Sequence, residues 1–573
     1  MMQRGFRRRC LLLLALAAGG LLLTSTVQAE RPRVYALTNA KIITAPGKTI
    51  EKGIIVLRDG LIEAVGAQAT IPADAVEIDG SGKTVYPGLI DGYSHMGLRP
   101  APTAPEASAE TRRPGRTGLA SPLGLAPRPE SPAGAIHPLS GVRPETQARN
   151  LIVPFEGENN DAERYRRVGI TTVLTVPDSG IFRGESALIN LKDGVATSGV
   201  ILKGAVAQHV AFQYGGFRGS YPTSLMGAAA AFRQVLLDAD RYLIWKKRYA
   251  ANPTGMKRPE YSSAFEALAP VLDRQRPIIF EVDRTQDALL ADRLAREFDL
   301  RAIIAGSGNE WELLDPLKTT GRTLILPVAL PEKPKVEDAD EALDIDTREL
   351  QRYVHAPENP KRLYEAGVRF ILSTRGLKNP ADFPKNMRKI IEAGLPANVA
   401  LAALTTVPAE VFGVSSMLGT LEPGKIANLI VTDGELFAEK TKVKQIFVDG
   451  HEYKIDEKEK PKGDPTAVVD PRGTWSVAME FPGGRSMNST WIIEGTKGSY
   501  SGTSESPRGT TEFTNIQLEG NALTVTLPGR GGQGRFEITV IITGDSLEGT
   551  AEQGRMTVKV SGTRTAGPVG GAL

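Results

Sequence analysis

The sequence predicts an α/β protein with a central (β/α) barrel and an all-β C-terminal part. Three observations carry this reading. Between residues 160 and 420 near-continuous aliphatic runs alternate with amphipathic stretches, the pattern of parallel strands covered on both faces by helices. Before this region, over 34–85, and after Lys425, short apolar runs are broken by turns. From Gly473 onward there is no helical period, only eight short alternating runs separated by Gly-rich turns.

Each element follows from a local pattern. Ala36–Ile43, Gly53–Leu57 and Leu61–Val65 are β-rich, and Asp59-Gly60 between the last two is a hairpin signal, because both residue types tolerate positive φ. Gly169–Val176, Gly199–Lys203, Pro277–Val282, Arg301–Ala305, Thr323–Val328 and Val368–Ser373 read as buried strands. Helices are expected over Ser224–Trp245, where Leu225, Ala229, Phe232, Val235, Leu236 and Tyr242 share one broad face, and over Thr285–Phe298. The number of repeats suits a (β/α)8 barrel; an open doubly wound sheet has the same local signature. In the tail, Trp475–Phe481, Asn488–Glu494, Ser499–Ser504, Thr510–Leu518, Ala522–Leu527, Arg535–Ile542, Ser546–Ala551 and Met556–Gly562 suit a closed barrel or sandwich, since closure removes exposed edges.

Residues 99–147 are rich in Pro, Ala, Gly, Ser and Arg and have almost no aliphatic periodicity. Such a stretch buries too little apolar area to offset its ordering entropy, which predicts a mobile insertion with a solvated His137. Asp456 to Asp464 reads as a charged linker.

Composition bounds the function. The 573 residues are 41% apolar and 24% charged, as in soluble globular proteins. The formal charge of +3 is dominated by Arg4, Arg7, Arg8 and Arg9, which precede an apolar run from Leu11 to Leu23 and a Val27-Gln28-Ala29 cleavage pattern. This is the layout of a secretory signal over 1–29; the run is short for a membrane span. Arg8-Arg9 loosely resembles a twin-arginine signal. Without the leader, 65 basic residues face 66 acidic ones, which gives no electrostatic case for nucleic acid or a membrane surface as partner. The protein is expected to be exported, periplasmic or extracellular, with no stable membrane anchor after cleavage. Cys10, the single cysteine, lies in the leader, so a processed chain would have no disulfide, thiol nucleophile or thiolate ligand.

Tyr86-Pro87-Gly88-Leu89-Ile90-Asp91-Gly92-Tyr93-Ser94-His95 closely resembles the strand-one signature of the amidohydrolase superfamily, especially its imidazolonepropionase-like members. That signature reads Pro-Gly-aliphatic-aliphatic-Asp, then His-x-His. Ala403–Ala409, Leu418–Leu429 and Val448-Asp449-Gly450 resemble the end of the family's barrel and the closing strands of its flanking sandwich. The resemblance spans about 34–455. It implies a barrel over 87–419, a small β-sandwich built from 30–86 and 420–455, and a separate lipocalin-like all-β domain over 466–573. It also implies one or two divalent metals of zinc type at the C-terminal mouth, a metal-bound water, and a strand-eight Asp as base, acting on C–N bonds of cyclic amides or similar small molecules.

Matched position by position, the site departs from the family. Tyr93 stands at the first His of His-x-His and His95 at the second. Glu281 occupies the strand-five slot. Ala305-Gly306-Ser307-Gly308 offers no imidazole after strand six, and Arg375 replaces the strand-eight Asp. Lys203 is the candidate for the bridging position. Guanidinium has no acceptor lone pair and repels a dication. Arg375 is therefore expected either to take the metal's place, paired with Asp91 or Glu281, or to turn to solvent. His209 is read as structural or as facing the mouth, His355 as loop, and His451 as part of the small sandwich. Tyr93, His95, His209, Glu281 and Arg375 are thus the barrel-mouth candidates, with His95 the retained metal ligand. Two functions remain open: a hydrolase of non-peptide C–N bonds with a weakened mononuclear site, and a metal-free pseudoenzyme or small-ligand binding protein. Gly184-Glu185-Ser186-Ala187-Leu188 lacks the second Gly of a nucleophile elbow, and Gly529–Gly534 lacks the Lys-Ser/Thr of a phosphate loop.

Overall fold

The computed structural model describes residues 34–99, 137–139, 141–155, 161–214, 221–334, 345–455, 463–481, 485–496, 499–507, 509–528, 536–553 and 556–567. The predicted leader, most of the 99–147 insertion and most of the linker lie outside these residues. The chain forms two compact units, Met1–Ile455 and Asp456–Leu573.

In the first unit, both flanks of the barrel join one eight-stranded sheet. Val34–Ala45 pairs antiparallel with Lys48–Arg58, which pairs with Leu61–Gly66 across Asp59 and Gly60. Both turn residues have positive φ, 51° and 82°, the two-residue turn that matches strand twist. Thr84–Pro87 joins the N-terminal strands to Leu429–Thr432, then Val443–Val448 and His451–Lys454. The composite of both flanks is one continuous sheet folded over a shared core that includes Leu37, Ile55, Val85, Leu429 and Phe447. Its 12-residue first strand carries register shifts that let it serve both halves, which meet where Tyr35 packs edge-on to Phe447. His451 lies in this sheet, as expected.

Among the described residues the barrel has eight staves, one of them reversed and made of two consecutive short strands. Leu89–Ser94 pairs parallel with Ile170–Thr175. Gln208–Ala211, Ile278–Glu281, Ala302–Ala305, Thr323–Pro327 and Phe370–Ser373 form a parallel series. Between the two sets the chain runs backward as Phe182–Glu185 and Ala187–Asn190, antiparallel to Gln208–Ala211 on one side and Ile170–Thr175 on the other. This corrects the expectation of a regular (β/α)8 repeat. It also corrects the assignment of Gly199–Lys203 as a stave: its last three residues, Ile201–Lys203, form only a short strand beside Ala187–Asn190. The reversed stave fits because Gly184, at φ 109°, lets the chain pass Thr146, whose carbonyl oxygen would lie 2.2 Å from any Cβ there.

The insertion also needs correction at its C-terminal end. Val142 and Gln147 bridge to Phe182 and Glu185, and His137 is buried against Phe265 rather than solvated. These residues pack along the reversed stave, whose Phe182 also stacks on Phe232 of the helix Leu225–Ala251. The helix Leu225–Ala251 begins at its Ser224 cap, where the hydroxyl accepts the Gly227 N–H. It runs six residues beyond the predicted end. No helix among the described residues is long and apolar enough to cross a membrane.

Among the described residues the second unit is a nine-stranded antiparallel sheet in which sequence neighbours pair and Gly473–Phe481 also pairs with the last strand, Met556–Ala566; Gly509–Glu512 and Asn515–Glu519 form its two edges, with no ladder between them. One strand more is present than expected because 510–518 divides into Gly509–Glu512 and Asn515–Glu519. Trp475 and Trp491, both fully buried, fill the interior with Val477, Leu523 and Val540.

Candidate functional site at the barrel mouth

The first stave sets the site. Gly92 lets it approach the last stave; a Cβ there would lie 2.5 Å from Ile371 Cγ2. Across this seam, buried Asp91 accepts the backbone N–H of Thr374 (2.9 Å), the Thr374 hydroxyl and the Tyr93 N–H (3.2 Å). Burial pushes the Asp91 carboxyl up to about 6, against the pull of these donors.

Tyr93 points inward, is fully buried, and donates its hydroxyl to Glu281. Glu281 ends the stave Ile278–Glu281, with its carboxylate between two guanidinium groups. Arg183 donates to Oε2, and Arg375 Nη2 donates to Oε1 at 3.0 Å. Burial alone would raise the Glu281 carboxyl; Arg375 and Arg183, with the Tyr93 hydroxyl, outweigh it and hold the group below its ordinary range. The Tyr93 hydroxyl is driven up, by burial first and then by the Glu281 charge.

Arg375 points into the barrel. Its Nη1 donates to the Gly306 carbonyl at 2.6 Å and reaches that of Ala305 at 3.5 Å. Nη2 also reaches exposed Asp283 at 3.4 Å. Of the partners expected from sequence, Arg375 takes Glu281; Asp91 pairs with Thr374 instead. The strand-six segment that offered no imidazole supplies carbonyls to the cation.

The two histidines flank Tyr93. Exposed His95 lies edge-on to it, with ring centroids 5.7 Å apart, and donates Nδ1–H to the Val176 carbonyl at 2.7 Å. His209 lies within the stave Gln208–Ala211, is 1% exposed, and packs edge-on to Tyr93 at 5.5 Å. Neither of its ring nitrogens has a hydrogen-bond partner among the described residues. Burial, then the nearby Arg183, pushes its pKa down to about 3, so the ring is neutral.

The mouth thus gathers Tyr93, His95, His209, Glu281 and Arg375. Lys203 is elsewhere: its Nζ donates to the Phe412 carbonyl at 2.7 Å, near Arg276 and Arg301 at the opposite end of the staves. His355 ends the helix Thr347–His355 beside Glu358 and Arg362, not in a loop. Sequence reading missed Arg183. It lies in Phe182–Glu185, a strand of four buried residues that no sequence pattern announced.

These residues do not fit a divalent metal. No group of three or more His, Cys, Asp or Glu among the described residues is arranged to hold one. Of the carboxylates near Tyr93, Glu281 has both oxygens engaged by cations and Asp91 is turned into the Thr374 seam. The imidazoles remain, with the exposed Asp283 that itself lies 3.4 Å from Arg375, and a dication would meet two permanent positive charges.

Comparison with known proteins agrees on the fold. Residues 315–456 match the amidohydrolase family. A 137-residue stretch, 23% of this chain, is 27% identical to the amidohydrolase tasK of Hapsidospora irregularis; it spans 14% of that protein's length. The crystal structure of an amidohydrolase from Thermotoga maritima MSB8 superposes with a TM-score of 0.57 at 23% identity, over 74% of this chain and 100% of that one. The chain therefore carries an amidohydrolase-family match over 315–456 and, across about three quarters of its length, an amidohydrolase fold.

Proposed function

We propose that this is an exported protein of the amidohydrolase family, imidazolonepropionase-like in its first stave, whose barrel mouth binds a small molecule without a resident metal ion. One observation carries the reading: the Glu281 carboxylate, at the strand-five position, is neutralised by Arg183 and Arg375. A cation pair then stands where the family's chemistry needs lone-pair donors, and the buried group Arg183, Glu281 and Arg375 has one positive charge in excess, which the solvent-exposed Asp283, 3.4 Å from Arg375, offsets only in part. That charge favours an anionic ligand, such as a carboxylate-bearing molecule.

A second reading, hydrolysis of non-peptide C–N bonds in cyclic amides or related compounds, has its own support. A carbonyl can only accept, so the His95 contact with Val176 selects the tautomer with its proton on Nδ1, the one that presents the Nε2 lone pair. The family match and the fold lean the same way.

Elemental analysis and melting of the purified protein with and without chelator separate the two. Sub-stoichiometric metal and an unchanged melting temperature are expected. Stoichiometric zinc, or amide hydrolysis restored by a divalent ion, would establish the hydrolase instead.

A further inference from the structure

A buried carboxylate behind the barrel mouth has no part in the contacts described so far. Glu310 opens the 3₁₀ turn Glu310–Leu313, just after the stave Ala302–Ala305, and is 1% exposed. A carboxylate at that depth needs donors, and the chain supplies them. Its Oε1 accepts the backbone N–H of Ser307 at 2.6 Å, that of Gly308 at 3.1 Å and the Ser307 hydroxyl at 3.3 Å. Its Oε2 accepts Asn359 Nδ2 at 2.8 Å. Asn359 is buried too, and its Oδ1 accepts the Trp311 N–H at 2.9 Å. The segment 306–309 is thus folded round one carboxylate. Glycine suits both bends: a Cβ on Gly306 would overlap Glu310 Oε1, and Gly308 has φ 88°.

The consequence lies across one peptide bond. The unit joining Gly306 to Ser307 is planar and trans, so its N–H and C=O point in opposite directions. The N–H is committed to Glu310. The C=O must therefore face away from Glu310, and there Arg375 Nη1 donates to it at 2.6 Å. On the other side of the residue, the Gly306 N–H is bonded to the Ile325 carbonyl of the next stave at 2.8 Å. The peptide cannot turn its carbonyl away from Arg375 without leaving a buried carboxylate short of a donor.

We propose that Glu310 is a positioning residue for Arg375. It acts through the Gly306–Ser307 peptide, which holds Nη1 while Glu281 holds Nη2. Its value to a ligand rests on the proposed function, in which Arg375 offers its charge to an anion; the fixing of Arg375 itself does not.

NMR of the full chain labelled with ¹⁵N-arginine tests this. A guanidinium held at both Nη groups rotates slowly about Cζ–Nε and gives separate Nη signals; Arg375→Lys identifies those of Arg375. Slow rotation is expected in the parent. Glu310→Gln keeps an acceptor for Ser307 but sets its NH2 against Asn359 Nδ2, donor against donor, and Asn359 cannot turn over without abandoning the Trp311 N–H. Arg375 should then rotate faster on the order of tenfold, as for the loss of one hydrogen bond to a charged group. Glu310→Gln/Asn359→Asp, which exchanges donor and acceptor, should restore the parent rate. If Glu310→Gln does not fold, Asn359→Ala removes a single donor and should show a smaller change in the same direction. Arg375 signals that stay unchanged while the melting temperature falls overturn the proposal and leave Glu310 with a loop-folding role alone. Faster rotation that the double exchange does not reverse overturns it as well. Acetate titrated into the parent on the same signals tests the anion site separately: no binding overturns that site and leaves the Arg375 result standing.

Discussion

Replacing Glu281 by Gln removes the one anion held between Arg183 and Arg375, whose side chains are 9% and 17% exposed. Uncoupling a buried ion pair by removing one partner costs roughly 3–5 kcal/mol, because the remaining charge stays desolvated. Here two cations are stranded, but Arg375 keeps the Gly306 carbonyl and Asp283, and the amide still accepts one hydrogen bond. The lower end, about 3 kcal/mol, is therefore expected. At about 2 °C per kcal/mol for a large unit, the barrel should melt about 6 °C lower by calorimetry. Removing charge on both sides, in Glu281→Met/Arg375→Met, should cost less than the two single changes together, with a coupling of about 2 kcal/mol. An E281Q melt within about 1 °C of the parent would mean that the carboxylate is not the counter-ion of this pair and that Arg375 finds its neutrality elsewhere.

Other perturbations test neighbouring claims. His209 has a depressed pKa, so the folded state refuses a proton that the unfolded chain accepts. Its contribution to stability is complete above pH about 6.5 and declines as the pH falls toward about 3. His209→Gln should therefore flatten the acid side of a denaturant-midpoint profile, and an unchanged slope would refute the assignment. Asp91 acts with the opposite sign: its raised pKa means that the folded state binds the proton more tightly, so stability falls as the pH rises from about 4 to about 6 and is then level. Infrared difference spectra against Asp91→Asn should show a protonated carboxyl titrating near pH 6, shifted upward by Thr374→Val, which deletes a donor to the carboxylate. Gly184→Ala would place a Cβ 2.2 Å from the Thr146 carbonyl at positive φ; a loss on the order of 3 kcal/mol in chemical denaturation is expected.

Much of the architecture was legible because its signals are local. Asp59-Gly60 predicted its turn from conformational freedom alone, and Ile278–Glu281, Ala302–Ala305 and Phe370–Ser373 announced themselves as apolar runs. The encounter of Glu281 with Arg375, one of two partners considered, follows once both staves, with two others between them in the parallel series, end at the same mouth of one barrel. Arg183 was hidden because strand direction has no signature in a four-residue run: Phe182-Arg183-Gly184-Glu185 reads the same whether it ascends or descends. Only its pairing with Gln208–Ala211 brings the side chain to the mouth. The ordered end of the insertion was hidden for a related reason. Val142 and His137 are buried against elements distant in sequence, and no periodicity of their own reports it.

The reversed stave also bears on how the barrel assembles. Ile170–Thr175 and Ala187–Asn190 pair across only a short stretch of chain, so this ladder closes a small loop at low entropic cost, whereas each parallel neighbour must await a long crossover. An early hairpin of this kind offers an edge onto which Leu89–Ser94 can add. The region that later holds Arg183 would then be among the first parts of the barrel to find its register.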